Sequence, residues 1–201
     1  MAKKKLPYDQ KYYDPEIECL PRPELEQLQL ERLKEMVRWS YDNAPYYKQA
    51  WDEAGVSPED IHTLKDIEKF PFIDKKTERE TQGVGSFFGG LCAVPEEDVV
   101  FMATSSGSTG VPTMSPFTQE DFDLWQDTEA RLFWQAGMRP TDRYVHGLNF
   151  ALYVGGPDVI GAQNLGATAI WVGAVPSDRL LFVLKHYQPT IIWTSPSYAW
   201  Q

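Results

Sequence analysis

Strand-like and helix-like runs alternate from residue 144 onward, and this alternation limits the fold more than any other feature. Apolar, β-branched runs typical of buried strands lie at Tyr144–Leu148, Thr168–Val172 and Ile191–Thr194. Helix-like runs separate them near Asp158–Leu165 and at Asp178–Tyr187. Strand, helix, strand at this spacing predicts parallel pairing through right-handed crossovers. The sequence therefore predicts an α/β fold with an incomplete, mostly parallel βαβαβ sheet.

The chain before residue 96 predicts two further segments. Residues 1–23 are rich in proline and tyrosine and predict an extended arm. Residues 24–95 predict a helical segment, because apolar side chains recur every three or four positions along its first part. That repeat is too short for a coiled coil. Glycines between Gly83 and Pro95 predict a connection, and residues 96–201 form the predicted α/β subdomain.

A loop rich in hydroxyl groups and glycine, Ala103–Thr113, follows a further strand-like run, Val99–Met102. Open α/β sheets bind ligands at the carboxyl ends of their strands, and glycine N–H groups with Ser and Thr hydroxyls suit a polyphosphate. An ordinary flexible turn is the alternative. A P-loop is excluded, because Val111 follows Gly110 where that motif requires lysine. The G-x-S-x-G elbow of serine hydrolases does not fit either.

Composition excludes several classes of partner. The formal net charge of −10 and pI near 4.8 argue against nucleic acid or an anionic membrane surface. Cys19 and Cys92 lie far apart, which predicts reduced thiols. The basic start, Lys3–Lys5, leads into Leu6-Pro7 and not into an apolar signal sequence, and no apolar run is long enough to span a membrane. We therefore expect a cytoplasmic protein.

Two sets of residues resemble a known family. From Ser105 to Pro112 the chain follows the order [ST]-[SG]-G-[ST]-[ST]-G-x-P, which resembles the phosphate-binding signature of the adenylate-forming superfamily. Arg38–Tyr47, Ala54-Gly55-Val56 and Leu64–Lys75 resemble the helical N-terminal segment of one of its subgroups, the phenylacetate-CoA ligases. The resemblance runs from about residue 25 to the end of the chain, and it implies the large domain of such an enzyme, with a nucleotide- and acyl-binding subdomain at 96–201.

The resemblance implies two half-reactions. A carboxylate attacks MgATP to give acyl-adenylate and pyrophosphate, and CoA then displaces AMP to give a thioester. The implied partners are an aromatic carboxylic acid, ATP with Mg²⁺, and CoA. The CoA site is completed by later segments of the family's enzymes that have no counterpart in this sequence. A homodimer of the full-length protein is left open. No residue is assigned as a catalytic nucleophile or a protein metal ligand. The implied phosphate-binding residues are Thr104, Ser105, Ser106, Gly107, Ser108, Thr109 and Gly110.

The segment Val145–Gly156 is the candidate acid-binding region, because the equivalent glycine- and aromatic-rich segment lines the acyl pocket in the resembling ligases. Phe150 and Tyr153 suit stacking on an aromatic ring. His146 either meets the carboxylate or is a structural side chain. Gly155-Gly156 either allows close backbone approach or simply opens the next helix. The candidate residues are His146, Phe150, Tyr153, Gly155 and Gly156.

The chain lacks a lysine that the resembling family carries in or just after the hydroxyl-rich loop. Phenylacetate-CoA ligases usually place it where Val111 stands, and many other adenylating enzymes place it at the position of Thr113. Either Mg²⁺ and the hydroxyls suffice, or Arg143 or another residue substitutes, or nucleotide binding is weakened. The superfamily's later adenine, ribose and lysine motifs have no counterpart, which predicts the N-terminal part of a longer enzyme, inactive by itself. The alternative is a truncated or catalytically silent regulatory relative that binds adenylate or acyl groups.

Overall fold

The computed structural model describes residues 6–105, 107, 110–150 and 156–200, which fall into two units. One unit spans Cys19–Gln119, and the other combines the chain before Cys19 with the chain after Gln119. The helices are α1 (Pro15–Glu18), α2 (Arg22–Asn43), α3 (Pro45–Ala54), α4 (Lys75–Thr81), α5 (Gln119–Gln135), α6 (Asp158–Leu165), α7 (Ser177–Tyr187) and α8 (Pro196–Ala199). The strands are β1 (Val99–Thr104), β2 (Met114–Thr118), β3 (Arg143–His146), β4 (Thr168–Trp171) and β5 (Ile191–Trp193). Short 3₁₀ turns cover Pro58–Asp60, Leu64–Lys69 and Glu96–Asp98.

The Cys19–Gln119 unit contains the predicted helices around a small aromatic core. Val37 of α2 and Trp51 of α3 pack with Ile61 and Phe70, and the rings of Trp51 and Phe70 meet edge to face with centroids 5.0 Å apart. Gly55 ends α3 in the left-handed conformation, as its position predicts. Two consecutive 3₁₀ turns, at Pro58–Asp60 and Leu64–Lys69, each begin with a capping box. These local signals explain why the segment folds as helices with little regular sheet.

The strand before the hydroxyl-rich loop differs from its prediction. The sequence placed Val99–Met102 among strands whose carboxyl ends face a ligand, but β1 pairs antiparallel with β2, with Thr104 opposite Met114. The loop therefore connects the two strands of a hairpin. The sequence analysis missed β2 because the strand is short and contains Pro116, which favours edge strands.

The two units are divided at Cys19 and Gln119, and the segments 1–23, 24–95 and 96–201 stay predictions. The β1–β2 hairpin belongs to the same unit as the helices before it. The side chain of Gln82 connects the hairpin to that helical segment through hydrogen bonds to Pro112 and Met114. Within the predicted arm, Pro15–Glu18 forms one helical turn, and Tyr13 is buried among side chains of the later unit. The Tyr13 hydroxyl also donates to Asp127 Oδ1 of α5 at 2.6 Å, so both the ring and the hydroxyl hold this segment.

The second unit contains the predicted parallel sheet, with strand order β4-β3-β5. Tyr144 and Val145 of β3 point to opposite faces of it. Helices α5 and α6 cover the face of Tyr144, and α7 covers the face of Val145 through Leu180 and Val183. If the three strands β3, β4 and β5 are numbered 1, 2 and 3 along the chain, their order in the sheet is 2-1-3, as in doubly wound sheets. In such sheets the ligand crevice lies at the carboxyl ends of the first and third strands. The α/β class is confirmed, and β3 and β5 flank that crevice.

Candidate functional site

The hydroxyl-rich loop is closed at its neck by a pair of residues beyond the hairpin ladder. The Ser105 N–H donates to the Thr113 carbonyl at 3.0 Å, and the Thr113 N–H donates to Ser105 Oγ at 2.9 Å. The Ser105 hydroxyl thus accepts one bond within the protein and keeps its own proton as a donor. Thr104, the last residue of β1, stands directly before this neck.

Glycine is required at position 107 of the loop. Gly107 has φ of +67°, and a Cβ there would lie 2.9 Å from Pro112 Cγ and 3.0 Å from the Gly110 carbonyl oxygen. A side chain would therefore be strained by both its backbone and its neighbours. The Gly110 N–H donates to the Gly107 carbonyl at 3.0 Å. The sequence analysis assigns the same Gly110 N–H to phosphate. That assignment requires the hydrogen bond from Gly110 to Gly107 to break when phosphate binds.

Gln82 fixes the strand that leaves the loop. Its Nε2 donates to the Pro112 carbonyl at 3.3 Å, and its Oε1 accepts from the Met114 N–H at 2.6 Å. One side-chain amide thus holds two backbone groups on either side of Thr113. The Pro112 and Met114 positions, and with them the neck of the loop, depend on this contact.

The two positions at which the family resemblance implies a lysine have opposite environments. Val111 is 70% exposed, whereas Thr113 is 4% exposed. A lysine at 111 would reach solvent, but one at 113 would have to bury its charge. Arg143, a substitute considered from sequence, lies at the amino end of β3, where its Nε donates to the Gln188 carbonyl at 2.9 Å. That is the end of the sheet opposite to the one where α/β sheets bind ligands, so Arg143 does not fit the role.

Ring-bearing residues line the carboxyl edge of the parallel sheet. His146, the last residue of β3, pairs in register with Trp171 of β4 on one side and Trp193 of β5 on the other. Register partners project on the same face of a parallel sheet. Gly147 follows, and its N–H donates to the Trp193 carbonyl at 2.9 Å, so the chain after β3 leaves along β5. The predicted acid-binding segment therefore begins in the crevice between these two strands.

Phe150 stacks on two of these rings. Its centroid lies 4.8 Å from that of His146 at an interplanar angle of 21°, and 5.5 Å from that of Trp171 at 26°. Gly173, with φ of +74°, approaches the same ring so closely that a Cβ would lie 2.9 Å from Phe150 Cε2. His146 is fully buried, whereas 53% of Trp171 is exposed. The stack therefore extends from the protein interior to its surface and offers an aromatic face at its outer end.

The buried end of the stack is polar. The Tyr144 hydroxyl lies 3.0 Å from His146 Nδ1, and both residues are fully buried. Burial raises the pKa of Tyr144 above its usual value, and the negative charges of Asp158 and Glu129 raise it further. The phenol therefore keeps its proton. Asp158 is itself buried in the first turn of α6, where the helix dipole favours a carboxylate.

The described chain brings together some of the predicted site residues. His146 and Phe150 are in contact, Gly156 is buried just before α6, and Thr104, Ser105, Gly107 and Gly110 lie on the hairpin and its loop. Ser106, Ser108, Thr109, Tyr153 and Gly155 lie outside the described residues. Their roles, and the site as a whole, stay predictions. Sequence reasoning missed Gln82, Tyr144, Trp171 and Gly173, and only the position of Trp171 at a strand end carried a signal for it.

Over the described residues, no three His, Cys, Asp or Glu side chains cluster as a metal-binding group. Within the same residues, no helix combines the length and apolar character needed to cross a bilayer.

Comparison with known proteins identifies the family, although no family model matches the chain. Phenylacetate-coenzyme A ligase of Thermus thermophilus is 36% identical over 188 residues, 93% of this chain and 41% of that protein. The enzyme of the same name from Pseudomonas putida is 38% identical over 175 residues, 87% of this chain and 39% of that protein. The chain is a phenylacetate-CoA ligase-like member of the adenylate-forming superfamily. It matches the N-terminal part of these ligases and spans about two-fifths of their length.

The fold agrees with this family. The crystal structure of 2-hydroxyisobutyryl-CoA ligase, in complex with 2-HIB-AMP and CoA in the thioesterification state, superimposes with a TM-score of 0.91 at 31% identity. The match covers 98% of this chain and 42% of that one. The phenylacetate-CoA ligase-like chain thus has the partial α/β domain that the sequence predicts.

Proposed function

We propose that this chain is the N-terminal part of an ATP-dependent, AMP-forming ligase that joins an aryl or arylacetic acid to CoA. The observation that carries the proposal is the similarity to phenylacetate-CoA ligases over about nine-tenths of the chain. In the first half-reaction a carboxylate oxygen attacks the α-phosphorus of ATP, and the bond to pyrophosphate breaks. In the second, the CoA thiolate attacks the acyl carbon, and AMP leaves with the bonding electrons. A cytoplasmic location belongs to the same proposal.

The hydroxyl-rich loop is the proposed phosphate site. Thr104, Ser105 and the other hydroxyls of the loop donate to the β- and γ-phosphates, and glycine at 107 lets the backbone approach them closely. Hydrogen bonds to charged groups contribute roughly 1.5–3 kcal/mol each, so several such donors hold pyrophosphate without one dominant residue. Mg²⁺ arrives with ATP as part of the substrate, bound mainly by phosphate oxygens and water.

The crevice after β3 is the proposed acid site. The exposed face of Trp171, at the outer end of the stack on Phe150, favours a planar aromatic group, since offset stacking adds about 0.5–1.5 kcal/mol to the burial of such a pair. His146 lies at the inner end of the same stack and is the proposed partner of the carboxylate. The stacked rings are the observation that favours an aromatic acid over a small branched one.

Hydroxamate trapping tests this function in a longer protein that contains the chain. Hydroxylamine intercepts acyl-adenylate, so the expected result is ATP-dependent hydroxamate from benzoate or phenylacetate. Cyclohexylacetate, which lacks a π face, and 2-hydroxyisobutyrate serve as matched comparison acids and should react more slowly. A faster reaction with 2-hydroxyisobutyrate would overturn the aromatic assignment and leave the ligase assignment intact.

A catalytically silent relative is the second candidate, because Val111 stands where the resembling ligases carry lysine. Such a protein would bind an adenylate or acyl ligand without turnover. The same assay separates the two. Absence of hydroxamate with every acid, together with measurable ATP binding, would favour the silent relative.

A further inference from the structure

A cavity of about 620 Å³ lies within the Cys19–Gln119 unit, between the corner where α2 meets α3 and the loop that follows α4. This volume is in the range of small-molecule sites in proteins. The lining contains no residue of the hydroxyl-rich loop or of the ring stack among the described residues, so the cavity is distinct from both proposed sites. One wall consists of Asn43, Pro45, Tyr46 and Gln49, and the other consists of residues between Thr81 and Pro95.

Hydrogen bonds hold the loop wall of the cavity in place. Val84 and Gly90 donate their N–H groups to the Thr81 carbonyl at 3.2 and 3.3 Å. The Gly90 carbonyl accepts from the Tyr46 N–H at 3.0 Å, which connects this wall to α3. Gly89 has φ of +83°, and a Cβ there would overlap the Thr81 carbonyl oxygen, so only glycine fits. The cavity is therefore preformed, and a ligand does not have to order its walls.

The lining disfavours charged ligands. None of the described residues that line the cavity carries a charge. A phosphate, carboxylate or ammonium group would lose water there without gaining an opposite charge. Pro45, Val84, Val94 and Pro95 supply apolar surface instead. The cavity therefore suits an uncharged ligand with apolar parts.

Two side-chain amides on the α2–α3 wall offer acceptors. Asn43 uses its amide nitrogen to donate to the Trp39 carbonyl at 2.9 Å, and Gln49 uses its nitrogen to donate to Glu53 Oε1 at 2.8 Å. These bonds fix which end of each amide is the nitrogen, so each side chain keeps its oxygen as an acceptor for a ligand. Neutral N–H groups are the donors that match such oxygens.

The remaining polar side chains of the lining include one donor for a ligand. The hydroxyls of Thr81 and Ser86 and the thiol of Cys92 each donate to a nearby backbone carbonyl, at 3.0 to 3.5 Å. Their protons are therefore already used. The Tyr46 hydroxyl has no hydrogen-bond partner within the described part of the chain. A phenol proton suits a carbonyl oxygen of the ligand.

We propose that this cavity binds an uncharged chain that carries secondary amides. The Asn43 and Gln49 oxygens accept from its amide N–H groups, the Tyr46 hydroxyl donates to an amide carbonyl, and the apolar surface covers its alkyl parts. The pantetheine arm of CoA has this chemistry, with secondary amides, alkyl groups and hydroxyls and no charge. The assignment to CoA rests on the proposed function, whereas the class of ligand concerns this chain alone.

Panthenol and pantothenate test the class of ligand with the 201-residue chain. Both carry the amide and the branched alkyl group, and they differ at one end, which is a hydroxyl in panthenol and a carboxylate in pantothenate. In ¹⁵N NMR titrations, panthenol should shift the side-chain amide signals of Asn43 and Gln49 with a Kd on the order of 1 mM. Pantothenate and the cation cysteamine should bind at least about tenfold more weakly. No shift with panthenol, or equal binding of either charged probe, would overturn the proposal.

Two glycines of the loop provide a matched pair of variants. Gly89→Ala places a Cβ against the Thr81 carbonyl, displaces the wall and should abolish panthenol binding. Gly83→Ala is the control, because Gly83 has a similar φ of +72° but no atom lies within 4 Å of the added Cβ. It should lower stability and keep panthenol binding. Equal weakening of binding in both variants would contradict a site formed by this loop.

Tyr46→Phe keeps the ring and removes only the hydroxyl. It should raise the Kd of panthenol by roughly 3- to 10-fold, the loss expected for one hydrogen bond. Tyr47→Phe is the control, because Tyr47 is the next residue of α3 but packs against the aromatic core around Trp51. Its Kd for panthenol should equal that of the wild type. An unchanged Kd in Tyr46→Phe would contradict the assigned donor.

The longer protein distinguishes CoA from a free amide ligand. Tyr46→Phe should raise KM for CoA by roughly 3- to 10-fold in thioester formation and change KM for ATP less. An unchanged KM for CoA, together with weaker panthenol binding, would overturn the assignment to CoA and indicate a free amide ligand. A longer protein that forms no hydroxamate contradicts the proposed ligase, whereas the panthenol titration still decides the cavity.

Discussion

Gly173 lies just after β4 and directly against the ring of Phe150, with φ of +74°. Gly173→Ala would combine a left-handed backbone with a Cβ only 2.9 Å from Phe150 Cε2, so we expect a loss of about 1–3 kcal/mol in the free energy of unfolding and a displaced ring. Denaturant unfolding measures the first effect, and the NMR signals of Phe150 and His146 measure the second.

Gly55→Ala is the control for backbone strain. Gly55 has a similar φ of +69°, but no atom lies within 4 Å of the added Cβ. It should lower stability through the backbone alone and leave the Phe150 and His146 signals in place. Equal stability losses in both variants, with no change in the Phe150 signal, would contradict the close contact at Gly173.

Val111 is the position at which the missing lysine should be restorable. The residue is exposed and follows Gly110 in the loop, so Val111→Lys adds a cation without burying it. A charge-assisted bond to phosphate should lower the Kd of ATP by about tenfold, measured by calorimetry on the proposed longer ligase. Val111→Gln supplies length and a donor without charge and should gain less. Unchanged affinity in Val111→Lys would indicate that the phosphates do not approach this part of the loop.

Individual site residues were predictable from sequence only where the local pattern contained them. His146 and Phe150 follow a strand-like run, so their place at a sheet edge could be expected, as could glycine at 107 in a phosphate loop. The place of Trp171 in the site depends on strand register, and that of Tyr144 depends on a hydrogen bond to His146 within the fold. Neither is visible in the local sequence. Gln82 contacts Pro112 and Met114 about 30 residues further on, and no local pattern encodes such a pairing.

At the scale of elements, the β1–β2 hairpin depends on Gln82. Gln82→Leu keeps the approximate volume and removes both hydrogen bonds to the strand after the loop. We expect faster hydrogen exchange at the Met114 N–H, by roughly three- to tenfold for a loss of about 1 kcal/mol, together with weaker ATP binding. Exchange at amides of β3 and β4 reports on the other unit and should not change.

Gln49→Leu is the control for the Gln82 variant. Gln49 also uses its side-chain amide, but it donates to Glu53 on an exposed helix face at 2.8 Å, away from any strand. Exchange at Met114 should be unaffected there. Protection of Met114 in Gln82→Leu equal to that of the wild type would show that the backbone ladder alone holds the hairpin.

The elements themselves were more predictable than their partners. The parallel sheet followed from the alternation of strand and helix, because crossovers of this length allow few other topologies. The antiparallel pairing of β1 was not predicted, because five residues with a central proline carry a weak strand signal. The order β4-β3-β5, which creates the crevice, depends on tertiary packing of α6 and α7 and not on local sequence.

At the scale of the whole molecule, the proposed binding elements fall in different units. The hydroxyl-rich loop belongs to the Cys19–Gln119 unit, and the ring stack belongs to the unit with the parallel sheet. Acyl-adenylate formation requires a carboxylate oxygen and the α-phosphorus to be held within about 3–3.5 Å of each other. The chain spans about two-fifths of its relatives, so the proposed ligase has more than half of its length outside these two units.

Binding and turnover should therefore separate in the 201-residue chain. We expect the chain to bind ATP weakly by calorimetry and to form no hydroxamate with any acid, whereas the longer protein does both. Gly107→Ala, which places a Cβ 2.9 Å from Pro112, is the matched variant that should abolish the weak ATP binding, and Gly55→Ala should not. Hydroxamate formation by the chain alone would show that the groups needed for adenylation all lie within it, and the later part of the relatives would then serve only the thioester step.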